Sequence, residues 1–308
     1  MVAEPRISVI MATLNCADWV EKAVQSVVGQ TLSSWELLVM DAGSTDGTVE
    51  IVEGFGDPRI IVSQEPDDGV AHAWDKAIYR ARGEHVTFLC GNDAYVHVDW
   101  LRVAADVMVV EPTVSLVWGI PAIYSGDRYV GVAEWPWGVY RAYPASVGDV
   151  QKDKWLRNWL SSGAYFPDNA MCVRRNVLRS CMPRYRVGTR VMDKLFAFYY
   201  NFNARGYLPY GIPEIVSCWR HQEEQLSESR AGERKLLMQD YLRRVRRYRT
   251  ELLEDRIRHV FIDPDEQPVA VVPPLKGRVT ENDFFVRPRG RPDAIDATRH
   301  VEALMASL

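Results

Sequence analysis

The stretch Leu37-Leu38-Val39-Met40-Asp41-Ala42-Gly43-Ser44-Thr45-Asp46-Gly47-Thr48 decides the fold. Its first four residues are an unbroken apolar run, the pattern of a strand buried on both faces. The run stops at a carboxylate and passes into Gly, Ser, Thr and Asp, which favour turns. Asp46 stands where it can cap a helix carrying Val49, Ile51 and Val52. Strand, polar turn, helix is half of a crossover unit.

The same unit recurs on both sides. Ile7 to Ala12 is an apolar strand, and Val20, Ala23, Val24, Val27 and Val28 follow at helical spacing, with Asp18 and Glu21 placed as a capping box. Arg59 to Val62 predicts a third strand, Val70 to Ala81 a helix ended by Gly83, and Val86 to Leu89 a fourth strand. Trp100 to Val110 reads as a helix and Leu116 to Trp118 as a strand. Strands alternating with helices predict an α/β protein with a mostly parallel sheet, whose ligands bind beyond the carboxyl ends of the strands. Four polar clusters fall just there: Thr13-Leu14-Asn15, Asp41 to Asp46, Glu65-Pro66-Asp67-Asp68-Gly69 and Gly91-Asn92-Asp93.

The later chain is less regular. A hairpin is expected over Ala122 to Val130, strands at Met171 to Val173 and Ile215 to Trp219, and a helix over Asp193 to Ala204 closed by Gly206. One long helix is expected from Gly232 to about Phe261, with Leu237, Tyr241, Leu242, Val245, Tyr248, Leu252 and Val260 on one face and Arg243, Arg244, Arg246, Arg247 and Arg249 interleaved. After Ile262 the composition predicts an extended arm.

With 308 residues, 47% hydrophobic and 25% charged, the chain can bury a sizeable core, and a net charge of −4 argues against a nucleic-acid partner. Ten Trp and fourteen Tyr serve either as core or as platforms on which sugars stack. Five scattered Cys without a Cys-x-x-Cys pair point to a reducing compartment. No signal-like start or 18-residue apolar run occurs, so a cytoplasmic protein is expected, reaching the inner membrane face from the side if its acceptor is lipid-linked.

In this order and spacing the motifs Ser8-Val9-Ile10, Thr13-Leu14-Asn15, Asp41 to Thr48, Glu65 to Gly69, Ala73, Lys76, Ala81-Arg82-Gly83-Glu84 and Phe88-Leu89 resemble the inverting glycosyltransferases of family 2. The resemblance covers roughly residues 6 to 229. It implies a GT-A fold, a Rossmann-like sheet flanked by helices. On that basis residues 1–229 form the catalytic domain (1–120 binding nucleotide, 121–229 facing the acceptor), and 230–308 a helical extension.

The resemblance also implies roles. Thr13, Asn15, Asp41 and Asp67 would face the nucleoside, with Asp41 accepting a base N–H; turn-making is the plainer role for Asp41 and helix capping for Asp46. Lys76 would neutralise diphosphate, or else be a solvated helix lysine. Asp93 matches the last carboxylate of an Asp-x-Asp-like metal motif, with a turn role as the alternative. Asn92 stands where a second Asp is usual, leaving Mn²⁺ or Mg²⁺ dependence weakened or lost. Asp193 matches the general base, its alternative being a helix N-cap. Asp168 and Asn169 replace a His-Gln pair on the acceptor side, which makes Asp168 a second base candidate. Trp219-Arg220-His221 to Ser227 resembles an Arg-x-His-x-x-x-x-Ser segment, in which His221 would reach diphosphate or metal and Arg220 would add positive charge.

The implied reaction moves a sugar from a nucleotide donor, uridine first among bases, to a saccharide, lipid-linked saccharide or small-molecule acceptor, with surface-polysaccharide assembly the default setting. The C-terminal helix would pack on the body or a second subunit, or rest on anionic lipid. A donor-binding scaffold without catalysis is the competing reading, motivated by Asn92 and by Asp168-Asn169. A sugar nucleotidyltransferase would need a Gly-rich basic loop after the first strand, which Thr13-Leu14-Asn15-Cys16 does not offer.

Overall fold

The computed structural model describes residues 4–132, 152–163, 165–221 and 231–272. Eleven strands and eight helices run through these residues. The first half is β1 (Ile7–Thr13), α1 (Ala17–Val28), β2 (Trp35–Asp41), α2 (Thr48–Glu53), β3 (Ile60–Gln64), α3 (Val70–Arg80) and β4 (His85–Cys90). Then come β5 (Ala94–Tyr95), α4 (Trp100–Val110), β6 (Val114–Ser125), β7 (Arg128–Val132) and α5 (Lys152–Ser162). A 3₁₀ turn at Asp168–Ala170 leads to β8 (Met171–Arg174), α6 (Arg175–Cys181), α7 (Val191–Arg205), β9 (Leu208–His221), α8 (Ala231–Leu253), β10 (Val260–Ile262) and β11 (Pro268–Val271).

Nine strands form one sheet in the order β3-β2-β1-β4-β8-β6-β9-β5, with β7 paired to β6. The block β3-β2-β1-β4 is parallel, as the alternation predicts. Beyond it β8 runs antiparallel to both β4 and β6, and β9 parallel to β6. Both faces are covered. Ile10, Leu38, Met40, Val86 and Phe88 point to one core and Val9, Met11, Leu37, Val39 and Leu89 to the other, so these strands read as continuous apolar runs.

Several expectations give way. The long helix ends at Leu253: Asp255 adopts a left-handed φ of 56°, and the Arg256 N–H turns back to the Glu251 carbonyl. Val260 is therefore in a strand, and the start of the expected arm is the hairpin β10–β11. Asp18 and Glu21 form no capping box; α1 is capped from across the chain, Ala17 N–H donating to Asp46 Oδ2 and Cys16 N–H to Thr48 Oγ1. Asp46 also accepts from Thr48 N–H, so one carboxylate serves two helix starts. Gly83 does not end α3, which stops at Arg80; a Cβ at Gly83 would sit 2.4 Å from Ser8 N, so close backbone approach explains the glycine.

The hairpin at Ser125-Gly126-Asp127 and the helix closed by Gly206 form as expected. Trp35, Trp74, Trp100, Trp118, Trp155 and Trp159 are core residues, not sugar platforms; Trp135 and Trp137 lie outside the described residues. Tyr241, Val245 and Leu252 bury α8 against the body of the protein. No helix among the described residues is long and apolar enough to cross a membrane.

Candidate active site

Thr13 and Asp41 are register partners at the carboxyl ends of β1 and β2. Asp41 is fully buried. Its Oδ1 accepts the N–H groups of Gly43 (2.9 Å) and Ser44 (2.7 Å), and its Oδ2 accepts the hydroxyls of Thr13 (2.9 Å) and Ser44 (2.5 Å). Burial pushes this carboxyl up, but the four donors outweigh it and hold the group below the ordinary carboxylate range. Gly43 takes a φ of 103°, which lets the turn fold back onto Asp41. Asn15, at a left-handed φ of 48°, receives Thr45 N–H on its side-chain oxygen and donates its own N–H to Ser44 Oγ. Thr13, Asn15 and Asp41 thus share one turn, and the plainer, turn-making role of Asp41 is present in full.

The second cluster forms at the end of β4. Gly91 admits no side chain: a Cβ would lie 2.5 Å from Cys16 Sγ and 2.9 Å from Thr13 Cγ2. The turn carrying Asn92 and Asp93 is therefore pressed against the start of α1 and the end of β1. Asp93 is buried, its Oδ1 accepting Arg220 N–H (2.9 Å) and its Oδ2 the Asn169 amide (3.2 Å). Burial pushes its carboxyl up to about 7, Asp168 adds to the rise, and the Arg220 and Asn169 contacts oppose it. The Arg220 side chain is buried too, donating to the carbonyls of Asn92 and Gly126 and lying 4.3 Å over the Trp19 ring. The Asn92-Asp93 turn meets Asn169 through its amide, with Asp168 near enough to act on the Asp93 carboxyl, while Arg220 ties that turn to the hairpin at Gly126.

Among the described residues no group of three or more His, Cys, Asp and Glu side chains is gathered to hold an ion. Asp93 and Asp168 do offer two carboxylates whose mutual repulsion a divalent cation would relieve, and oxygen donors suit Mg²⁺ or Mn²⁺. The donor chemistry fits such an ion if diphosphate and water complete its shell. His221 ends β9, and its side chain lies outside the described residues, as does the segment 222–230.

The third cluster is the loop after β3. Glu65 N–H bonds to the Asp41 carbonyl, which sets this loop beside the Asp41 turn. Asp67 Oδ1 accepts Gly69 N–H at 2.7 Å. Lys76 is not a solvated lysine: its ammonium meets the carbonyls of Glu65 (3.5 Å) and Pro66 (3.4 Å) and the Glu65 carboxylate (3.6 Å).

Asp193 lies in the first turn of α7. Its Oδ2 accepts the N–H (2.9 Å) and Nε–H (3.1 Å) of Arg190, the capping residue, while among the described residues Oδ1 receives a single 3.4 Å contact, from Arg190 Nη2. Asp193 is thus not the N-cap but stands three residues after the capping Arg190 and accepts its backbone N–H, the returning half of a capping box; the Arg190 guanidinium, a donor only, supplies no other half. Among the described residues Asp193 makes no hydrogen bond or ion pair with Asp93 or with the Asp41 turn.

Asp75 and Lys194 form a further pair that no sequence motif marks. The Lys194 ammonium, fully buried, donates to Asp75 Oδ1 at 2.7 Å. Burial raises the Asp75 carboxyl, yet Lys194, the Tyr185 N–H and Arg184 hold it below its ordinary range; burial pulls the Lys194 ammonium down against the attraction of Asp75. A signal for Asp75 existed: Ala71, Trp74, Asp75 and Ile78 share the inward face of α3 at i, i+3, i+4 and i+7.

A mixed sheet with a parallel block, and polar turns gathered at the carboxyl ends of β1, β2 and β4, defines an α/β protein with a candidate ligand site at that sheet edge. Residues 8–166, just over half the chain, match the model of Glycosyl transferase family 2, and the chain belongs to that family. It is 39% identical over 95 residues to the putative teichuronic acid biosynthesis glycosyltransferase TuaG of Bacillus subtilis, covering 30% of this chain and 38% of that relative. It is 35% identical over 122 residues to a PGL/p-HBAD biosynthesis glycosyltransferase of Mycobacterium bovis, covering 38% of this chain and 47% of the relative. The matches thus span less than half the length of either relative.

S. aureus TarS 1-349 in complex with UDP-GlcNAc superposes with a TM-score of 0.54 at 17% identity, covering 77% of this chain and 65% of that one. The mannosyltransferase PcManGT of Pyrobaculum calidifontis, in complex with GDP-Man and Mn²⁺, gives 0.51 at 18%, covering 82% and 75%. At these identities the likeness is one of fold, and the fold is GT-A.

Proposed function

We propose that this chain transfers a sugar from a nucleoside-diphosphate donor, UDP-linked in the first instance, to an acceptor hydroxyl with inversion at the anomeric carbon. The observation that carries the reading is the convergence of Thr13 and Asp41, the Asp93 turn and the loop with Asp67 at one sheet edge. The complexes of the two structural relatives, with UDP-GlcNAc and with GDP-Man, support a nucleotide-sugar there. Thr13, Asn15, Asp41 and Asp67 would form the nucleoside wall. For Asp41 to take a base N–H one internal donor must yield, and the Ser44 hydroxyl can rotate away without moving backbone. Lys76 would act through the Glu65-Pro66 carbonyls that it holds.

Asp193 would be the general base. Its Oδ1, the less engaged oxygen, would take the acceptor hydroxyl proton as that oxygen attacks the anomeric carbon and the bond to diphosphate oxygen breaks. Asp93, with Asp168 nearby and His221 at the end of β9, would hold a divalent cation that neutralises charge on the departing diphosphate. Asn169 and Asp168 would face the acceptor, which the named biosynthetic relatives suggest is a cell-surface glycan or glycolipid. The exposed arginines of α8 suit a peripheral contact with anionic membrane where such acceptors reside.

Thermal denaturation with UDP, GDP and dTDP, each with and without Mn²⁺, tests donor binding. A ligand at a hundred times its Kd stabilises by about 2.7 kcal/mol. One nucleotide should raise the Tm, further with Mn²⁺. A shift indifferent to metal would remove the cation; no shift with any nucleotide would remove the donor site.

A further inference from the structure

Asp75 belongs to none of the four polar clusters, yet three donors converge on it. Lys194 Nζ and Tyr185 N–H, both at 2.7 Å, donate to Oδ1, and Arg184 Nε–H at 3.0 Å donates to Oδ2. Lys194 is 0% and Asp75 8% exposed. All three donors sit on the segment that leads into, and forms, the first turn of α7, and Lys194 is the residue after Asp193.

Two local penalties make this arrangement informative. A cation in the first turn of a helix opposes the helix dipole. A buried ion pair seldom improves stability over an apolar pair of the same volume. What three directional bonds to one carboxylate do supply is a single register between α3 and α7. The adjoining contacts extend that register toward the donor side. The Tyr185 ring stacks on His72 of α3 at 4.4 Å between centroids, and its hydroxyl donates to Asp68 at 2.6 Å. Asp68 neighbours Asp67 on the loop assigned to the nucleoside. One face of α3 thus holds both the donor loop and the segment that carries Asp193.

We infer that Asp75 and Lys194 are positioning residues for Asp193: the buried pair anchors the start of α7 to α3, fixing where the Asp193 carboxylate stands relative to the bound donor. The inference rests on the reading of Asp193 as general base.

The test uses the full chain and follows release of UDP from UDP-GlcNAc and UDP-glucose and of GDP from GDP-mannose, counted per nucleotide-binding site so that unfolded protein does not enter. Asp75→Asn, which keeps shape, and Lys194→Met should each lower kcat by about 30- to 100-fold, the usual consequence of a misplaced catalytic group, with KM for the donor within about threefold. Lys194→Arg should restore part of the loss. In an Asp193→Asn background the same changes should add almost nothing, because they act through that residue.

Undiminished kcat in Asp75→Asn and Lys194→Met, or an undiminished further loss in the Asp193→Asn background, overturns the positioning role while leaving the base in place. Wild-type turnover by Asp193→Asn alone removes the base itself, and the inference with it. No release from any of the three donors by the unaltered chain removes the transfer reading.

Discussion

The parallel block β3-β2-β1-β4 and the mixed half built on β8, β6 and β9 hold their parts of the site in different ways. In the first, Asp41 is fastened by Gly43 and Ser44, two and three residues away, and by Thr13 on the adjacent parallel strand. Where the block meets the second half, the Asp93 turn after β4 is fastened to Asn169 and Arg220, and Asp75 of α3 to Lys194 of α7, across separations of 76, 127 and 119 residues. Local turns build one wall of the site, and long-range polar bonds the other. The first wall should therefore tolerate single substitutions that would collapse the second.

The largest expected effect falls on the second wall. Asp193→Asn should lower transfer by about 10³-fold, within the usual range for loss of a general base, while the UDP-induced rise in Tm persists; wild-type turnover would move the base elsewhere. Arg220→Met should cost about 3 kcal/mol or more in urea unfolding, because it strips a buried cation from beside the Asp93 carboxylate and unties two carbonyls. A cost under about 1 kcal/mol would mean that the loops hold without it.

Acid should find both halves. His85 on β4 and His259 before β10 are buried, and burial pulls their imidazoles down to about 3 and about 4. Their folded pKa lies below the unfolded value of about 6.5, so the unfolded chain binds more protons in between. Stability is then full above about pH 6.5 and falls by about 1.4 kcal/mol per pH unit for each imidazole as pH drops toward the folded values. His85→Leu should flatten the urea-unfolding profile in that window; an unchanged slope would mean that His85 is protonated in the folded state.

Ser44→Ala, on the locally built wall, should cost only about 1 kcal/mol, since three donors to Asp41 remain. Smallest of all, Asp255→Gly should stabilise by about 0.5 kcal/mol, because glycine adopts the left-handed φ more readily. Guanidinium unfolding of each variant reads both.

The same division governs what the sequence discloses. The parallel block is legible because each of its elements announces itself within ten or twelve residues. The second half is legible only in pieces. β5 is two residues long, α6 begins at Arg175 directly after β8, and the stop of α8 depends on Asp255 taking a conformation more usual for Gly or Asn. Residue identities pointed to Asp93, Asp168, Asn169 and Asp193, but not to what holds them. Arg220 reads as spare positive charge until its guanidinium is seen buried against Trp19. Lys194 looks unremarkable in sequence because its partner lies on another helix, and the capping of α1 by Asp46 is invisible for the same reason.

The tight seat of Gly91 against Cys16 and Thr13 has an evolutionary consequence. A side chain at 91 needs room from both Cys16 and Thr13, so position 91 depends on what stands at 16 and 13, and the order in which substitutions there arise decides whether the intermediate survives. A lineage that first enlarges residue 91 displaces the Asp93 turn, whereas one that first converts Cys16 to a smaller residue opens room beside it. Drift around this turn is consequently directional, and a functional variant with a bulkier residue at 91 should carry the record of earlier steps at 16 and 13.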